Sequence, residues 1–79
     1  MSGADQQQLA QRETANAEAY RHFLLGRHHL SKRTPQELRR AANEFEQAVS
    51  LDPNFALAHA SLADSYTMLL AQDRTANLR

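Results

Sequence analysis

Two prolines are the only strong interruptions in a 79-residue chain otherwise built from helix-forming residues, and each stands where a helix must start or turn. In Thr34–Pro35–Gln36–Glu37, Thr34 can cap the first free amides. Pro35 suits the first helical position, and Glu37 can complete a capping box. Leu38, Ala41, Ala42, Phe45, Ala48 and Val49 then recur at spacings of three and four, which predicts an amphipathic helix over 35–50. Asp52–Pro53–Asn54 is a tight connection, with Asp52 or Asn54 available to cap the next helix. That helix, carrying Phe55, Leu57, Ala58, Leu62, Ala63, Tyr66, Leu69 and Leu70, is expected over 54–71. Upstream, no glycine or proline lies between Gly3 and Gly26, so a first helix is expected over 5–31. Its apolar face, Tyr20, Phe23, Leu24, Leu25 and Leu30, begins late, and Leu9 is the only large apolar residue before it. The expectation is an all-α chain: an antiparallel helical hairpin plus one extra helix. Its parts are a flexible or helical extension (1–18), a helix pair (19–51), a further helix (52–71) and a frayed tail (72–79).

Several classes of chemistry are disfavoured by composition and spacing. Cysteine is absent, which excludes disulfides and thiolate metal sites. No apolar run reaches the length of a membrane span, and the N-terminus lacks a basic start followed by an apolar core, so a cytoplasmic chain is expected. His22 and His29 share a helical face but sit roughly 10 Å apart, too far for one ion. With His59, they are expected as partly buried packing residues. Ser61, His59 and Asp64 lie on one helix without an elbow or oxyanion nest, and Glu44 and Glu46 face apart, so no catalytic site and no cofactor are expected. Formal charge is zero, yet residues 21–40 hold Arg21, Arg27, Lys32, Arg33, Arg39 and Arg40 against Glu37 alone, while residues 41–79 are acidic. That segment can meet phosphates, but without a recognition helix or net positive charge nucleic-acid binding is disfavoured.

An internal repeat organises the rest. HFLLGRHH (22–29) and HASLADSY (59–66) pair His22 with His59, Leu25 with Leu62, Gly26 with Ala63, and His29 with Tyr66, at a constant offset of 37. Between them lie Ala41, Phe45 and Ala48, followed by Pro53. This resembles the tetratricopeptide repeat, in which a first helix carries a bulky residue, a leucine and a small residue. A second helix carries alanine, an aromatic and alanine, and a proline follows. The run 32–66 is especially similar to repeats appended to bacterial regulatory proteins such as winged-helix transcription regulators, nucleotide cyclases and serine/threonine kinases.

The resemblance covers about residues 19–70 and implies a repeat core of Leu25, Gly26, Ala41, Phe45, Ala48, Pro53 and Ala63. It also implies a concave partner surface of Tyr20, Phe23, Arg27 and Leu30 from one unit and Leu57, Ala60, Asp64 and Thr67 from the next. Some relatives hold a partner's C-terminal carboxylate there with lysines and asparagines. Phe23, Arg27, Ala60 and Asp64 depart from that pattern, so an apolar protein or peptide segment is the better-matched ligand. One and a half units are present, and the second lacks its partner helix. Residues 5–18 can fold back as a cap, the segment can be cut from a longer array, or two copies can pair. A homodimer through Leu62, Tyr66, Leu69 and Leu70 is the favoured expectation. The implied function is protein–protein interaction or self-association; a structural spacer in a larger regulator is the alternative.

Overall fold

A computed structural model describes residues 3–77, and side-chain environments from 7 to 74; the expectations for residues 1–2 and 78–79 lie outside the described residues. Four helices follow one another: α1 (Gly3–Glu13), α2 (Ala17–Lys32), α3 (Pro35–Leu51) and α4 (Ala56–Asn77). The chain is all-α, as expected, but the single first helix expected over 5–31 is two. Thr14 Oγ1 accepts the Asn16 amide at 3.1 Å, and Asn16 leaves the helical region at φ −84°, ψ 109°. From there its side-chain oxygen accepts the Ala19 amide at 3.0 Å, capping α2. Two short polar side chains thus offer the backbone partners that continuing the helix would have to replace.

The α2–α3 hairpin forms on the expected signals. Thr34 Oγ1 accepts the Glu37 amide at 3.2 Å with Pro35 in the first turn. The other half of the expected capping box is replaced: the Glu37 carboxylate turns to His29. α2 closes on Arg33, held in the left-handed region at φ 61° with its amide on the Leu30 carbonyl. α3 lies between α2 and α4 and packs along both. Neither Asp52 nor Asn54 caps α4. Asp52 Oδ1 accepts the Asn54 amide within the turn, and the α4 amide of Leu57 is met by Glu13 of α1. α4 runs past the expected stop near 71 to Asn77, since no glycine or proline ends it.

Three fully buried phenylalanines tie the layers together. The Phe23 ring of α2 lies 5.9 Å from Phe45 of α3 and 5.2 Å from Phe55, both in tilted contact. Ala10, Ala19, Ala41, Ala48 and Ala58 surround them, and these small side chains let the helix axes approach. Gly26 takes this furthest: a Cβ placed there would stand 2.5 Å from Phe45 Cε1.

Candidate functional site

The hairpin face carries two parallel ties. His22 Nδ1 meets Glu44 Oε1 at 2.6 Å, and His29 Nδ1 meets Glu37 Oε2 at 2.5 Å. Each pair steps seven residues, in opposite directions on the two helices, as an antiparallel hairpin requires. The hydrogen bond from His29 holds the Glu37 carboxyl below its usual range; partial burial opposes this, and the charges of Lys32, His29 and Arg40 add to it. Glu44 and Glu46, about 200° apart around α3, serve opposite neighbours. Glu44 reaches α2, while Glu46 accepts the Tyr66 hydroxyl of α4 and, through that bond and burial, raises the pKa of the phenol. His22 and His29 are half-buried as expected. His59 is not: it stands exposed at the start of α4, its Nε2 2.8 Å from the Pro53 carbonyl oxygen.

Among the described residues no group of three or more His, Asp or Glu can hold a metal ion, and no helix is long and apolar enough to cross a membrane. Of the basic segment, Arg27 lies half-buried over the Phe23 ring at 6.0 Å, Arg40 pairs with Glu37 at 3.2 Å, and Arg33 reaches Met68. Arg21, Lys32 and Arg39 are exposed.

The residues expected on a concave wall divide. Tyr20, Arg27, Leu30 and Leu57 are half-buried, and Ala60, Asp64 and Thr67 are exposed. Phe23 must be withdrawn from that surface: it is 1% exposed, because contact with both Phe45 and Phe55 draws it inside. α1 packs against α2 and α4, burying Ala10 and Thr14. Of the expected repeat core, Gly26, Ala41, Phe45 and Ala48 are buried, whereas Leu25 is 40% exposed and Pro53 and Ala63 are exposed.

The largest uncovered apolar groups lie on α4, where Tyr66 is 50% and Leu70 61% exposed; Leu62 and Leu69 beside them are half-buried. The offset of 37 makes this exposure informative. Gly26 and His29 on α2 are covered by Phe45 and Glu37 of α3. Their counterparts on α4, Ala63 and Tyr66, are exposed, although the Tyr66 hydroxyl reaches Glu46 of α3. Sequence reasoning placed Ala63 in a core through the resemblance alone, although the helix that would cover it is the one the second unit lacks. It missed Glu13 as a cap and His59 as a neighbour of the open face, although the spacing of 59, 63, 66 and 70 carried the second signal.

No family model matches the chain, and no curated protein or solved structure is significantly similar to it.

Proposed function

We propose that this chain is a protein-interaction module of tetratricopeptide-like design, working through the open face of α4. The observation that carries this reading is the contrast between equivalent positions: α3 covers Gly26 and His29, while among the described residues no helix covers Ala63 and Leu70, and Tyr66 stays half exposed with only its hydroxyl on Glu46 of α3. An apolar stripe on one side of a well-packed helix favours a partner that removes it from water. The chemistry of that partner follows from what α3 offers α2, namely an amphipathic helix with an aromatic residue facing the small side chain. The walls formed by Tyr20, Leu30 and Leu57 are a secondary surface, since α1 and the core already occupy much of their area.

A peptide spanning residues 34–51 supplies such a helix. Titrated to ~1 mM into the isotope-labelled chain, it is expected to shift the amide resonances of Ala63, Tyr66 and Leu70, and to leave them unmoved in Leu70→Glu. Unmoved resonances in the unaltered chain, together with a one-chain mass in solution, would overturn the proposal.

A further inference from the structure

The open face of α4 has an order of its own. His59, Ala63, Tyr66, Leu70 and Asp73 are all exposed and follow one another at spacings of four, three, four and three. On a helix that pattern is a single seam, the spacing by which two helices pack side by side, and it runs about 21 Å from end to end. The seam is also asymmetric in a useful way. It begins with a histidine and ends with a carboxylate, and between them Ala63 lies three residues before Tyr66 and Leu70 four after it.

We infer that the occupant of this face is α4 of a second copy, antiparallel to the first and related to it by a two-fold axis at Tyr66. This inference rests on the proposed interaction role and names as partner a helix that sets a leucine, in place of an aromatic ring, against Ala63. Reversing one seam against another sets His59 against the partner's Asp73, Ala63 against the partner's Leu70, and Tyr66 against the partner's Tyr66. Each contact off the axis then occurs twice, as an isologous interface requires. Small meets large, so the axes can close without a void. A histidine meets a carboxylate at both ends. The parallel alternative sets Asp73 against Asp73, His59 against His59 and Leu70 against Leu70, so it places two carboxylates together at one end and crowds one layer. Two local contacts keep the seam in register: His59 is held by the Pro53 carbonyl, and the Tyr66 hydroxyl is anchored to Glu46.

Light scattering after size exclusion at ~100 μM is expected to read the mass of two chains for the unaltered protein and of one chain for Leu70→Glu, with equal far-UV helix content. Because the chain has no cysteine, introduced thiols report the geometry directly. Under mild oxidation Tyr66→Cys should cross-link to itself, and His59→Cys should cross-link to Asp73→Cys in a mixture but not to itself. A two-chain particle in which His59→Cys joins itself overturns the antiparallel arrangement. A one-chain mass for the unaltered protein overturns the second copy as occupant. In that case the interaction role survives if the 34–51 peptide still moves Ala63, Tyr66 and Leu70, and falls with the inference if it does not.

Discussion

Glu13 Oε1, in the last turn of α1, accepts the backbone amide of Leu57 in the first turn of α4 at 2.8 Å, across 44 residues of sequence. The start of α4 otherwise lacks a local side-chain cap, because Asp52 is spent on the turn and Phe55, which precedes the helix, has no acceptor in its side chain. A carboxylate there satisfies a donor that would be open and sits at the positive end of the helix dipole. Glu13→Ala should therefore cost about 1 kcal/mol, and Glu13→Gln less, since an acceptor oxygen remains. Thermal unfolding measures the cost. Faster hydrogen exchange at Leu57 and Ala58 should accompany it, and unchanged exchange would remove Glu13 from this role.

Gly26 and Phe45 set the closest approach of α2 to α3. Alanine is the better helix former by roughly 1 kcal/mol, so on an exposed helix Gly26→Ala would stabilise. Here the added methyl meets a fully buried ring wedged against Phe23, which cannot turn aside. Overpacking of this kind costs about 1–3 kcal/mol, and a net loss of about 1 kcal/mol is expected in a denaturant titration. A variant as stable as the parent would show that the hairpin or the Phe45 ring can shift far enough to admit the methyl group.

The resemblance to a helical repeat implied that Gly26 and Phe45 are core residues, but not that they meet. The Thr34 cap, the turn at Pro53 and the apolar face of α3 were legible in advance because their causes are local and periodic. What escaped was set by partners distant in sequence or by competition between weak local terms. Asn16 caps α2 and reaches the Leu51 carbonyl at 3.4 Å, but it is set among good helix formers and has no proline beside it. Phe23 lies on a face that reads as a wall until Phe45 and Phe55 are placed around it. The open stripe of α4 was half legible: its large residues stood out, while His59 and Asp73 acquired meaning only once their exposure was known.

His29 and Glu37 make the hairpin sensitive to acid. The folded Glu37 carboxyl is depressed below its ordinary value of 4.5, chiefly by the hydrogen bond from His29. A group depressed in the folded state contributes stability that is complete above its unfolded pKa and disappears as pH falls through the folded one. The melting temperature should hold from neutrality to about pH 5 as far as this pair is concerned, then fall. Glu37→Gln should lower it at neutral pH and flatten the acid limb. Parallel curves for the two proteins between pH 6 and 3, roughly the range over which carboxylates titrate, would show that the pair contributes nothing.

Arg33 ends α2 with φ at 61°, in a region where an L side chain is crowded by its own carbonyl and glycine is not. Its backbone has two partners: the amide donates to Leu30 and the carbonyl accepts Gln72 Nε2 at 2.6 Å. Neither depends on the side chain. Among the described residues the guanidinium reaches only Met68, from an exposed position. Arg33→Gly should therefore keep both backbone bonds and relieve the crowding. The gain is reduced by the extra freedom of glycine in the unfolded chain, leaving about 0.5 kcal/mol of stabilisation. Arg33→Ala should give no such gain, because its Cβ keeps the crowding. A melting-temperature series of the three proteins separates the two contributions: equal values for glycine and alanine would assign the change to the lost side chain, whereas a rise for glycine alone assigns it to the backbone.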